Sequence, residues 1–400
     1  MTLPTEPTIG ERVARARIAR GITQETLAGL VGRSPGWVSK IERGVLPLDR
    51  KSVVLKLADV LDVDATTLQG RSQAPDIPGK HGQAVVVGEL RQALMRWATP
   101  AISPARTSPR HTLDMLRQRV DAANRQRQDA RFADLAVSLP ALLDDLRDAA
   151  DADSPDPGGV QTLAAEAMHN ARAMTKKLGH LDLAWMSAEL AGHAARRTDD
   201  PLLAAANAWN HIEVYKAANA PGPARALALA TIDELAEGLG TATPGHLSLW
   251  GTMHLQAGLI AAYWSNRDDA AAHLREAADA ARRLGGDGNY YDTMFGTTNV
   301  AIHHVAVAVE LGDAQSAINH ATPIDASNLG RERRARLAID LARALEHAHK
   351  HQQALASLLK AEKLAPDYVR PHPLVREIVS AQLRRAKPEL RSLAKRMGVM

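Results

Sequence analysis

The sequence predicts an all-α protein, built as an N-terminal five-helix unit followed by a solenoid of helical hairpins. Three observations carry that prediction. Apolar residues make up 45% of the 400-residue chain but aromatic residues only 3%, so alanine and leucine must fill the core. Alanine is the best helix former, and small side chains let helices approach closely. Short apolar-patterned runs near the N-terminus are punctuated by glycines, and from about residue 160 one polar-turn, alanine and apolar pattern recurs. A chain of this length exceeds what one core usually holds, so two or more domains are expected.

The first run, IGERVARARIAR (9–20), places Ile9, Val13, Ala16 and Ile18 on a mostly apolar side and stops at Gly21. Thr23 is a good N-cap for a second helix, Gln24 to Val31, whose Leu27, Ala28 and Val31 face inward. Gly32 supplies a backbone conformation that a β-carbon disfavours. Ser34 caps a third helix, and Pro35 takes its first position, where a missing N–H costs nothing. Val38 and Ile41 anchor that helix and Gly44 ends it. Two further short helices, 52–61 and 65–69, close a small core with Val54, Leu57, Leu61 and Leu68.

Ala28 must be small because two helices cross there, Gly32 makes the turn, and Val38 fills the angle between the helices. With the pattern Q24-x-x-L27-A28-x-x-x-G32-x-S34-x-x-x-V38-S39-x-I41-E42-x-G44, residues 9–70 resemble the Xre/Cro-repressor helix-turn-helix. The resemblance implies sequence-specific DNA binding, with the third helix in the major groove. It implies that Gln24 holds a phosphate and that Ser34, Gly36, Trp37, Ser39 and Lys40 lie on or near the groove-facing side. Lys40 and Arg43 are the natural charge contacts. Trp37 either touches a thymine methyl or sugar, or packs on the second helix. Glu42 orders the helix through a local ion pair.

Beyond residue 72 the expected boundaries are a 73–110 linker carrying one helix (85–97), a helical connecting segment 111–159 interrupted at Pro140, a repeat region 160–369, and basic capping helices 370–400. The repeat pattern is clearest in SNRDDAAAHLREAADAARRL (265–284), GDAQSAINHA (312–321) and HKHQQALASLLKAEKLAP (349–366). Its turn alanines are read as Ala184, Ala226, Ala270, Ala317 and Ala354, spaced by 42, 44, 47 and 37 residues. The pattern looks like tetratricopeptide (TPR) repeats, which stack into a continuous core and offer a concave ligand face. Projection onto first helices puts Glu166, His169, Lys176, His211, Tyr215, Leu255, Leu259, Asn299, Ile302, Arg336 and Arg343 on that face. Tyr290, Tyr291 and Phe295 cluster in a chain nearly devoid of aromatics, and either floor an apolar pocket or wedge two hairpins apart.

Charge is unevenly distributed: +3 for residues 1–72, +5 for 88–131, −10 for 132–369 and +6 for 370–400. Nucleic acid is therefore expected at the ends of the chain, with the basic C-terminal run either capping the last repeat or reaching flanking DNA. Without cysteine, disulfides, thiolate catalysis and cysteine-zinc sites are excluded. His347, His349 and His351 fall on an exposed turn rather than around a metal. His303 and His304 point different ways on one helix. No phosphate-binding glycine loop, HExxH or G-x-S-x-G site is read, so neither a cofactor nor catalysis is expected. No apolar signal core or membrane-length run is read, and a cytoplasmic protein is expected.

The domain order resembles the bacterial peptide-pheromone receptor regulators, which implies signalling of the quorum-sensing kind. The expected function is a DNA-binding transcriptional regulator, a homodimer on an inverted-repeat operator. Its array would sense a peptide or small-molecule effector. Two alternatives stay open: the array binds a protein partner, or the head has lost DNA affinity and the chain regulates an enzyme.

Overall fold

The computed structural model describes residues 7–70, 83–99, 110–383 and 388–399. Every regular element among them is helical. The head comprises α1 (Ile9–Ala19), α2 (Gln24–Val31), α3 (Pro35–Glu42), α4 (Lys51–Leu61) and α5 (Ala65–Gln69). Its boundaries follow from local chemistry. Thr8 and Glu11 form a reciprocal capping box on α1, and Thr23 accepts from the Thr26 N–H. Gly32 takes φ +70°, in the left-handed region, and Ser34 accepts from the Trp37 N–H with Pro35 in the first turn of α3. Ala28 and Val38 are 1% exposed, and Leu27 and Leu68 are fully buried. Each buried leucine contributes roughly 1.5–3 kcal/mol.

The connecting helices are α6 (Gln83–Ala98), α7 (Leu113–Gln128) and α8 (Phe132–Ala150). The expected interruption at Pro140 does not occur. Pro140 sits buried inside α8, and the break lies at 129–131, where Ala130 takes φ +56°. A proline removes one helical N–H, but the apolar stripe Leu135, Leu139, Leu142, Leu143 and Leu146 packs on both sides of it and holds the helix together. Most of the expected linker and of the 99–110 loop lies outside the described residues.

Five helical hairpins follow among the described residues: α9 (Pro157–Lys177) with α10 (Leu181–Ala195), α11 (Pro201–Ala217) with α12 (Pro221–Ala236), α13 (Pro244–Tyr263) with α14 (Arg267–Leu284), α15 (Thr297–Leu311) with α16 (Ala314–Ala321), and α17 (Arg331–His347) with α18 (His351–Leu364). First helices stack on first helices, α9 on α11, α11 on α13, α13 on α15 and α15 on α17. In each second helix the fourth residue is a fully buried alanine: Ala184, Ala224, Ala270, Ala317 and Ala354. The second copy therefore corrects the sequence register, because Ala226 is exposed and Ala224 takes the packed position. Proline at the first turn starts α12 at residue 221 and sets that register.

The chain ends in α19 (Pro366–Val369), α20 (Pro373–Gln382) and α21 (Pro388–Arg396). Ile378, Val379, Leu390 and Leu393 are buried against the α17–α18 layer, and Arg396 and Arg370 both close on Glu362. The C-terminal run thus packs as a cap on the last hairpin.

Within the head, α1 crosses α3 at Gly10, where a β-carbon would collide with the Ile41 carbonyl. Replacing Gly10 with alanine forces the helices apart, and the expected cost is about 1–3 kcal/mol. A thermal melt of the full chain followed at Trp37 fluorescence in a variant lacking the other tryptophans checks this; an unchanged midpoint would contradict the crossing.

Candidate nucleic-acid interface

Glu42 is the anchor of α3. Its carboxylate takes the Arg17 Nε at 2.6 Å and Nη2 at 3.0 Å from α1, and the Gln24 Nε2 at 2.7 Å from α2. The expected ion pair at Glu42 is present, but its partner comes from another helix. Burial opposes the charge on Arg17, and the Glu42 carboxylate more than offsets it, so its pKa is raised. Gln24, expected at a phosphate, turns its amide onto Glu42 instead.

The outer side of α3 is open. Ser34, Gly36, Lys40 and Arg43 are exposed, and Ser39 is half-buried. The Arg43 Nε donates to the Ser39 carbonyl at 3.2 Å. Trp37 packs on the head core, with the Arg33 guanidinium 5.7 Å from its ring centre. Residues 32–36 (GRSPG) do carry the G-x-S-x-G spacing of a hydrolase nucleophile turn, which corrects the sequence reading. A helix, α2, precedes them rather than a strand, and the Ser34 hydroxyl accepts from the Trp37 N–H as a helix cap.

The opposite edge of the head, residues 48–51, is held by the array. Arg343 of α17 is 1% exposed. Its Nε donates to Asp49 Oδ2 at 3.1 Å and its Nη2 to the Asp49 carbonyl at 2.8 Å. The same guanidinium reaches Glu310 Oε1 at 2.7 Å and Asp340 Oδ1 at 3.0 Å. His347 Nε2 lies 2.9 Å from Asp49 Oδ1. Burial pushes the Asp49 carboxyl up, but Arg343 and His347 outweigh it and hold it at about 2. Glu310 also accepts the Lys51 N–H at 2.9 Å, while Lys51 Nζ donates to the Lys216 carbonyl at 3.2 Å and to Asn219. Burial lowers the Lys51 ammonium to about 8.

Arg343, expected on an open ligand face, is instead fully committed. His347, expected on a solvated turn, is half-buried against the head; His349 is exposed, and His351 lies 2.9 Å from Glu346. No sequence pattern marks this docking, because its partners are separated by some 300 residues.

The remaining expected ligand residues scatter. Phe295 is fully buried beside Gly251, where a β-carbon would overlap its ring, and Tyr290 is 44% exposed. Tyr291 donates to Asp200 at 2.9 Å. Phe295 and Tyr291 pack against the hairpin cores, while Tyr290 stands at the surface. Leu255 and Leu259 are core residues with Ala270 and Leu274, and Ile302 is buried. His211 and Tyr215 flank Trp185 at 5.0 and 5.2 Å between ring centres, with His211 also 3.0 Å from Glu189. His169 and Asn299 are buried in an inner polar network. Arg336 pairs with Asp340 at 3.0 Å. Among the described residues no group of His, Asp and Glu is placed to hold a metal ion.

Residues 8–69 match the family model described as a helix-turn-helix domain. The N-terminal unit is a DNA-binding helix-turn-helix domain. No curated protein matches the chain. Among solved structures, BtubC (BKLC) from P. vanneervenii is similar at 16% identity and a TM-score of 0.35, over 62% of this chain and 90% of that one. No helix among the described residues is long and apolar enough to cross a membrane.

Glu377 of α20 faces the docked edge, accepting the Leu48 N–H at 3.4 Å. Burial raises its carboxyl to about 7, with that N–H opposing. An exposed glutamate titrates near 4.3. The docked state therefore binds the extra proton between pH about 4.3 and 7, and its stability falls as pH rises through that window. The urea midpoint of the full chain is expected to drop from pH 5 to pH 7.5 by the equivalent of roughly 1–3 kcal/mol more than in Glu377→Gln. Parallel pH profiles for the two proteins would refute the assignment.

Proposed function

We propose that this chain is a non-enzymatic transcriptional regulator whose head binds an operator and whose TPR-like array senses an effector and sets the placement of that head. The observation that carries the reading is the division of the head into two faces. The groove-facing side of α3 is open, with Lys40 and Arg43 exposed, while the far edge is clamped by Arg343 and Glu310 of the array and by Glu377 of the C-terminal cap. A domain held from behind presents its recognition helix outward and makes its aim depend on the array. Ser34, Gly36, Trp37 and Ser39 complete the proposed groove face, and a homodimer would place two such faces on an inverted repeat. Resemblance in domain order to peptide-pheromone receptor regulators supports a signalling role.

Lys40→Ala with Arg43→Ala is expected to weaken operator binding by 10-fold or more and to reduce the salt slope by about one for each phosphate no longer neutralised. Gel shifts on a fragment selected from a genomic library check it, and wild-type affinity would overturn the groove assignment.

Arg343→Leu leaves Glu310 buried without its cation and Asp49 with His347 alone, at a cost of about 3–5 kcal/mol to docking. The expected result is a head released to protease at 45–51 and an operator affinity altered although no groove residue has changed; unaltered cleavage and affinity would show that the array does not govern the head.

A further inference from the structure

The inner side of the array is lined by charge rather than by apolar side chains. Lys177 closes on Glu332 at 2.6 Å, joining the first and last hairpins, and Arg127 of α7 reaches Asp292. Lys176 and Lys216 share one carboxylate, Glu213, at 2.5 and 2.6 Å.

Two arginines in this interior make no direct ion pair, their nearest acids acting from a distance. Arg172, 4% exposed, donates its Nε to Asn210 Oδ1 at 3.0 Å and lays its Nη2 3.4 Å from both ring nitrogens of His169. Arg333 donates to Asn299 Oδ1 at 2.7 Å and to the Thr293 carbonyl at 2.6 Å. Among the described residues no carboxylate pairs with either guanidinium. The two are linked by a relay of intervening groups. His169, against Arg172, lies 3.3 Å from Asp292, and Asp292 precedes the Thr293 whose carbonyl holds Arg333.

A guanidinium withdrawn from water without a directly paired carboxylate recovers its desolvation cost only in part, here from the more distant charges of Glu213, Glu332 and Asp292. Burial accordingly lowers the Arg172 pKa to about 10. Arg333 is lowered in the same way, and His303, which faces Arg333 and Lys216, is lowered to about 4 by burial and those charges. The acids facing this region, Glu213, Glu332 and Asp292, are already engaged by Lys176, Lys216, Lys177 and Arg127.

We infer that the interior of the array binds a small carboxylate-bearing anion between Arg172 and Arg333. The inference rests on the effector-sensing reading above and names the chemistry of the effector. Planar guanidinium forks match carboxylates bidentately, and the amides of Asn210 and Asn299 fix their orientation. The bound anion would also reach the head. Lys216, paired with Glu213 through its ammonium, accepts Lys51 through its carbonyl, so a shift of the Glu213 cluster moves a residue that holds α4.

The test uses the full chain without DNA. Isothermal titration is run with citrate, with inorganic phosphate and with sodium chloride at matched ionic strength, on the wild type, Arg172→Gln and Arg333→Gln. Citrate is expected to bind the wild type, with each variant weakened at least 10-fold, and chloride to give no saturable signal. Equal citrate binding in wild type and variants, or none in the wild type, overturns the site. Phosphate binding as tightly as citrate overturns the carboxylate assignment. If Arg172→Gln fails to fold, as circular dichroism would report, Arg333→Gln decides the matter alone. Operator binding is read separately by gel shift, so loss of the anion site leaves the DNA-binding reading standing, and wild-type affinity after Lys40→Ala and Arg43→Ala removes that reading while leaving the anion site intact.

Discussion

The arrangement of this molecule depends on one buried cation. Arg343 is removed from water, which costs several kcal/mol unless every donor finds an acceptor. It finds Asp49 in the head, Glu310 in the preceding hairpin and Asp340 one turn earlier on its own helix. Three separate stretches of chain must converge on one planar fork, and the fork tolerates little displacement. The head cannot leave without taking from Arg343 the Asp49 carboxylate and carbonyl, two of the acceptors that hold the buried cation. Its position is thus a property of electrostatics, while the cores of head and array stay separate.

The array is built on a different principle. Its helices approach through small residues, with an alanine at the fourth position of every second helix, and α13 is buried along nearly its whole length. Such packing leaves no broad apolar face for the inner surface. What lines the interior is long polar side chains paired across hairpins, and these pairs draw the first hairpin towards the last. Tight backbone packing outside and charge inside leave the cations of the interior in a low-dielectric setting, where pairing matters more than at a wet surface.

How much of this is legible in the sequence varies with the range of the interactions. The head is legible residue by residue because caps, a left-handed glycine and a small crossing residue are local requirements. The hairpins are legible because they are periodic. The register slips at Ala226, where proline, not the alanine spacing, starts the helix. Pro140 misleads because tertiary packing overrides a local penalty. Gln24 bonds Glu42, and Arg343 bonds Asp49, for one shared reason. A residue's direction is inferred from its helix alone, yet Glu42, Asp292 and Asp49 recruit side chains from elsewhere in the chain. Pairings that span hundreds of residues leave no mark in a single sequence.

Helical repeat arrays commonly gain or lose units without harm, since each unit meets only its neighbours. The bridge from Lys177 to Glu332 removes that freedom here. Excising or duplicating one hairpin would carry α17 round the superhelix, separating Lys177 from Glu332 and turning Arg343 away from Asp49. The number of hairpins is then a fixed dimension of the molecule, set by geometry in the way a ring sets its own circumference.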